Sequence, residues 1–240
     1  MNIYGFQKTT LLDYPEHVAA TIFTGGCNFR CPFCHNGELV LGIGSREAAE
    51  SGKGIEEIPE EEVFSYLEKR RRILEGVCIT GGEPTLAPDL EEFIRKVKAL
   101  GYLVKLDTNG YRPEVLWMLL EKGLLDYVAM DVKASRENYE RAVGVKRLDL
   151  ARIEESVAIL KSCEIPYEFR TTVVKGIHKA EEFEAIGRWL AGSRSYFLQA
   201  FRESEKMLGE GFDCFSKREM EEMAAKAAKY IDKVSLRGVE

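Results

Sequence analysis

Three cysteines, Cys27, Cys31 and Cys34, lie in the stretch Gly25-Gly26-Cys27-Asn28-Phe29-Arg30-Cys31-Pro32-Phe33-Cys34-His35-Asn36. A C-x3-C-x2-C run places three thiolates on one tight loop. A cubane iron–sulfur cluster takes four cysteine ligands. Three would leave one iron open, and an open position makes a metal site catalytic rather than structural. Zinc with a fourth ligand from elsewhere is the competing reading. His35, directly after Cys34, is awkwardly placed to close that tetrahedron. Cys78, Cys163 and Cys214 are isolated and form no second pair, which disfavours auxiliary clusters.

Three other motifs carry polar chemistry. In Gly81-Gly82-Glu83-Pro84 the glycines let the main chain approach a ligand closely and present hydrogen-bonding groups to an ammonium; a plain turn before proline is the alternative. Asp107-Thr108-Asn109-Gly110 offers hard oxygens suited to an alkali or alkaline-earth ion, or else a capped turn. Asp131 and Lys133, two apart on an extended segment, point to the same side. They could serve a ligand or form a surface ion pair.

Elements that would position these groups alternate along the chain. Strands are expected at His17 to Thr24, Gly76 to Thr80, Leu103 to Thr108, Tyr127 to Val132, Tyr167 to Val174 and Ser195 to Phe201. They are short and nearly continuously apolar, as in a parallel sheet buried on both faces. Helical stripes separate them: Leu90, Phe93, Ile94, Val97 and Leu100; Val115, Leu116, Leu119 and Leu120; Ile153, Val157 and Leu160; Phe183, Ile186 and Leu190. A last helix is expected from about Ser216 to Ile231, with a short strand ending near 238; its Met220 and Met223 read as core. Parallel α/β folds gather reactive groups at strand carboxyl ends. The motifs meet that rule, with Gln199 ending the sixth strand, while Arg170 lies on the fifth strand and is expected to face the interior. The pattern by itself also permits a doubly wound sheet. Gly42 to Glu57 reads as a mobile loop.

The 240 residues are 45% hydrophobic, enough for a sizeable core, and carry a net charge of −6, which argues against a nucleic-acid binder. The basic run Lys69-Arg70-Arg71-Arg72 suits the end of an acidic helix. With no apolar run of membrane-spanning length, no signal layout and no disulfide framework, the chain reads as cytoplasmic, without membrane association.

With Phe33 just before its last cysteine, the cysteine run resembles the signature of the radical S-adenosylmethionine superfamily. The resemblance implies an α/β partial (βα)6 parallel barrel, a single domain over 1–240. It implies a 4Fe–4S cluster on Cys27, Cys31 and Cys34, with S-adenosylmethionine on the open iron. One electron from the cluster would cleave the sulfonium to a 5'-deoxyadenosyl radical, so no side chain need act as acid or base. Gly81, Gly82 and Glu83 would hold the methionine amino group and Lys133 its carboxylate. Phe33 and Asp131 would adjoin the same cosubstrate, Asp131 reaching a ribose hydroxyl or a cation.

A narrower resemblance is to the activating enzymes of glycyl radical enzymes. Asp-Thr-Asn-Gly followed by Asp-x-Lys is similar to the pyruvate formate-lyase activases, which implies a monovalent cation on Asp107, Thr108 and Asp131. Cys34-His35-Asn36 resembles the same group and places His35 near the adenine. A further histidine expected after the sixth strand is missing in Leu198-Gln199-Ala200-Phe201-Arg202, where Phe201 could stack instead. Gly5-Phe6-Gln7-Lys8-Thr9-Thr10-Leu11-Leu12-Asp13-Tyr14-Pro15 resembles the longer activating proteins of anaerobic ribonucleoside-triphosphate reductases. The implied partners are a glycyl radical enzyme, with an anaerobic ribonucleotide reductase first and a pyruvate formate-lyase-like enzyme second, and a flavodoxin- or ferredoxin-type electron donor. The gates expected for a glycine loop of such a partner are Gly42 to Glu57 and Glu203 to Phe212. A radical enzyme acting on a small molecule is the alternative, and a zinc or redox binding module a more distant one.

Overall fold

Apolar runs flanked by helix-forming segments become strands joined by helical crossovers, which the right-handed βα connection favours. The computed structural model describes residues 1–41, 55–204 and 207–239. Positions 42–54 of the loop expected at Gly42 to Glu57, and 205–206 of Glu203 to Phe212, lie outside the described residues. The strands are β1 (Ile3–Thr10), β2 (Ala19–Thr24), β3 (Gly76–Gly81), β4 (Leu103–Thr108), β5 (Tyr127–Asp131), β6 (Tyr167–Val173), β7 (Tyr196–Ala200) and β8 (Val234–Arg237). The helices are α1 (Gly37–Leu41), α2 (Glu60–Arg70), α3 (Leu90–Ala99), α4 (Pro113–Glu121), α5 (Tyr139–Val143), α6 (Leu150–Ser162), α7 (Glu182–Trp189) and α8 (Lys217–Ala227).

The first of two units comprises Met1–Asn28, Asn36–Thr108 and Arg112–Val128. In it β1 runs antiparallel to β2, while β2, β3 and β4 are parallel and in chain order. Ile22, Val77, Ile79, Val104 and Leu106 are fully buried, and so is the Leu90, Phe93, Ile94 and Val97 face of α3. Side chains of this size stabilise by roughly 1.5–3 kcal/mol each when buried. Gly101 ends α3 at a φ of 87°, a left-handed stop. Glu60, Glu61 and Glu62 open α2 and Lys69 and Arg70 close it, complementing the helix dipole.

The second unit comprises Phe29–His35, Asn109–Tyr111 and Ala129–Glu240. Here β6, β7 and β8 are parallel and in chain order. Helix α8 starts at a capping box in which Ser216 and Glu219 satisfy each other's backbone amides. Met220 and Met223 are buried on its inner face. Among the described residues no helix is long and apolar enough to cross a membrane.

Candidate cofactor site

In the first unit the start of the cysteine loop is stitched to the Gly81–Glu83 turn through main-chain atoms. Gly26 donates its N–H to the Leu39 carbonyl at 2.9 Å, and its own carbonyl accepts from Glu83 N at 2.8 Å. Gly82 N donates to Thr24 O at 2.9 Å. Asn36 Nδ2 donates to the Gly81 carbonyl at 3.1 Å. A Cβ on Gly82 would land on the Gly26 carbonyl oxygen, and one on Gly81, at φ 119°, would strike the backbone of Thr24. The paired glycines therefore admit the backbone beside Cys27 at a distance no side chain allows.

Glu83 turns inward. It is 1% exposed, and its Oε1 accepts from Thr85 N at 3.1 Å, Thr85 Oγ1 at 2.5 Å and Thr108 Oγ1 at 2.7 Å. It thereby caps the short turn Pro84–Leu86. Thr108 thus spends its hydroxyl proton on Glu83, and Asp107 forms an ion pair with Lys105 Nζ from the same strand.

In the second unit Cys31-Pro32-Phe33-Cys34 is a turn closed by Cys34 N donating to Cys31 O at 3.0 Å. Proline in its second position has the fixed φ such turns favour. Neighbouring backbone holds the loop: Arg30 N donates to Val143 O at 2.8 Å and Gly209 N to Pro32 O at 2.8 Å. Cys31 is buried and Cys34 half-buried. Phe33 is buried edge-on against the His178 ring, 6.3 Å between centroids. His35 Nε2 donates to the Arg202 carbonyl at 2.5 Å, and its ring lies 5.7 Å from that of Phe201. The two rings named for the adenine are neighbours.

Asp131 receives two cations. Lys133 Nζ binds Oδ2 at 2.9 Å and Arg170 Nε binds Oδ1 at 2.9 Å. Burial alone would raise the Asp131 pKa, but Arg170 and Lys133 outweigh it and hold the carboxyl well below the usual range. Burial opposes the charge on Lys133, yet Asp131 and the sulfurs of Cys31 and Cys34 push its pKa upward. With side-chain exposures of 17% and 28% the Lys133–Asp131 pair is no ordinary surface ion pair. Asn109 and Gly110 make the capped turn: Asn109 Oδ1 accepts from Tyr111 N at 2.9 Å, and Gly110 has φ 74°.

Two further residues support the site: His178, which reads in the sequence as structural with no partner named, and Gly144, which the sequence does not single out. His178 Nδ1 accepts from Val174 N at 3.0 Å while Nε2 donates to the Lys133 carbonyl at 2.8 Å, so the ring is neutral and fixes the strand end that carries Lys133. Gly144, at φ 64°, lets the Arg30 carbonyl approach where a Cβ would collide with it. Its signal in the sequence is only a glycine between two valines after a helix.

A cysteine-bearing loop follows β2, and a glycine-lined turn ends β3, within a parallel-stranded α/β fold. Residues 21–190 match the radical SAM superfamily, and the chain belongs to it. Its parallel-stranded α/β fold is the partial barrel of that family, and it is an enzyme that uses a 4Fe–4S cluster and S-adenosylmethionine. A Methanocaldococcus jannaschii protein provisionally named a glycyl-radical enzyme activating enzyme is 32% identical over 245 residues, 99% of this chain and 96% of that one. A Thermococcus kodakarensis protein provisionally named GTP 3',8-cyclase is 32% identical over 167 residues, 68% of this chain and 50% of that one. Streptococcus suis SuiB bound to S-adenosylmethionine superposes with a TM-score of 0.65 at 12% identity, over 90% of this chain and 49% of that one.

Proposed function

We propose that this enzyme installs a glycyl radical on a partner protein. The observation that carries the reading is the similarity to the M. jannaschii activating enzyme, which spans nearly the whole of both chains. Cys27, Cys31 and Cys34 hold the cluster, and the glycine-lined backbone at Gly81 and Gly82 receives the amino group of S-adenosylmethionine. Together these cofactors supply a 5'-deoxyadenosyl radical that takes a hydrogen atom from a glycine Cα. Lys133 neutralises the cosubstrate carboxylate, and Asp131 holds Lys133 charged. Phe33 braces the loop, and His35 with Phe201 offers the adenine an aromatic face. The protein's share is binding, orientation and exclusion of water, as is general when a cofactor carries the hard chemistry.

The partner is an anaerobic ribonucleotide reductase, on the strength of the Gly5–Pro15 motif, with a pyruvate formate-lyase-like enzyme second. A flavodoxin- or ferredoxin-type protein supplies the electron. Mixing the reduced protein and S-adenosylmethionine with each partner should give a glycyl doublet by electron paramagnetic resonance on one of them, lost when its acceptor glycine becomes alanine. Cosubstrate cleavage with no such radical, but turnover of a small metabolite, would favour the second reading. That reading draws on the T. kodakarensis relative, only half of whose length is matched. Reconstitution should give about four iron per chain, and Cys31→Ala should lose both iron and cosubstrate cleavage. A colourless protein holding one zinc would refute both readings.

A further inference from the structure

The groups expected to hold a monovalent cation do not fit one. The Thr108 hydroxyl gives its proton to Glu83 and keeps its lone pairs, so the misfit lies in the cations already held by the two carboxylates. In the second unit the Asp131 carboxylate accepts from Lys133 on one oxygen and Arg170 on the other. In the first unit the Asp107 carboxylate is paired with Lys105. Lys105 is the unusual member of this set. It sits in the middle of β4, between the fully buried Val104 and Leu106, and is itself 2% exposed. Two residues before Asp107 on one strand, it projects from the same face. Its ammonium meets Asp107 Oδ1, lies 3.7 Å from Cys78 Sγ and stands 5.9 Å from the centre of the Tyr127 ring. Carboxylate, sulfur and aromatic face are the surroundings a desolvated cation needs. A metal ion placed on Asp107 would have to share its oxygens with a fixed positive charge, where like-charge repulsion is little screened.

We propose that the Lys105 ammonium takes the place of the monovalent cation, so that this enzyme binds S-adenosylmethionine without potassium or sodium. The proposal rests on the cosubstrate reading above and departs from the cation expected by resemblance. It is tested on the reconstituted enzyme by anaerobic measurement of the S-adenosylmethionine dissociation constant, and on the cluster-free protein by melting temperature. Both are measured in potassium, sodium and tetramethylammonium chlorides at equal ionic strength. Wild type should give the same affinity and melting temperature in all three. Lys105→Met strips Asp107 of its internal counter-ion, so affinity should fall about tenfold in tetramethylammonium relative to potassium or sodium, and potassium or sodium should raise its melting temperature. Wild-type binding or melting that depends on potassium or sodium would overturn the proposal, and this arm decides the matter even if Lys105→Met does not fold. A folded Lys105→Met protein indifferent to the salt would overturn it too. A wild type that bound no S-adenosylmethionine in any salt would instead refute the proposed function, and the melting temperatures would still judge Lys105.

Discussion

Gly144→Ala is the sharpest test of how the cysteine loop is held. Gly144 has φ 64°, and an added Cβ would overlap the carbonyl oxygen of Arg30, the residue before Cys31. An alanine in the left-handed region costs roughly 1–2 kcal/mol. Relieving the collision moves the Arg30 peptide and gives up the 2.8 Å bond from Arg30 N to Val143 O, about 1 kcal/mol more. The sum, roughly 2–3 kcal/mol, corresponds to a fall in melting temperature of about 4–12 °C for a chain of this size. Gly123 supplies the control: its φ is 62°, and nothing lies within 4 Å of an added Cβ. Gly123→Ala should therefore lose only the backbone part, about 1–2 kcal/mol. Iron content after anaerobic reconstitution separates the two further. On the proposed function Gly144→Ala should fall well short of the wild type, because its loop is displaced next to Cys31, whereas Gly123→Ala should match it. Equal melting temperatures together with equal iron in the two variants would refute the docking of Arg30 on Gly144.

Lys133→Ala should weaken S-adenosylmethionine binding roughly ten- to hundredfold, the loss of a charge-assisted contact of about 1.5–3 kcal/mol, while iron content is retained; an unchanged dissociation constant would confine Lys133 to its pair with Asp131. Gly82→Ala should lose iron as well as cosubstrate affinity, since its Cβ meets the carbonyl beside Cys27; full iron with weak binding would make the glycine purely a ligand contact. For His178, burial lowers the pKa below its ordinary value. The unfolded chain takes up the proton first as pH falls through about 6.5, so the stability of the neutral ring is present above that pH and lost below it. The slope reaches at most about 1.4 kcal/mol per pH unit. Urea unfolding of wild type and His178→Gln between about pH 7.5 and 5.5 should show a shallower fall in the variant, and parallel curves would assign the acid sensitivity elsewhere.

Near-continuous apolar runs made the six expected strands legible, and their ends fall within two residues of expectation. β1 was not legible. Gly5, Gln7 and Lys8 break any alternation in Ile3–Thr10, and its antiparallel pairing with β2 carries two register irregularities. β8 spans four residues, all of them half-buried, too short and too weakly patterned to be more than a short strand near the C-terminal end. The motifs found the right strand ends but could not say which way side chains turn. Glu83 reads as a ligand contact, yet it caps its own turn and receives Thr85 and Thr108. Lys105 has no mark in the sequence beyond lying on a strand, and only its own burial and its pair with Asp107 show that it faces an interior carboxylate. His178 and Gly144 act on Lys133 and Arg30, which lie far away in sequence, so no local pattern could name those partners.

The Gly81-Gly82 pair shows why motif spacing and chemistry coincide in this fold. A glycine beside a ligand is ordinarily explained by the ligand. Here both positions have a second constraint: Gly81 faces the backbone of Thr24, at the end of β2, and Gly82 faces Gly26, next to Cys27. The strands β2 and β3 pair with Thr24 opposite Gly81, so the segments leaving them must run side by side. That proximity forces the loop bearing Cys27 and the turn bearing Gly82 into backbone contact, and only residues without a Cβ permit it. The same two glycines thus set the loop that carries Cys27 and, on the proposed function, the surface offered to the cosubstrate. A substitution at either would disturb both functions through one displacement.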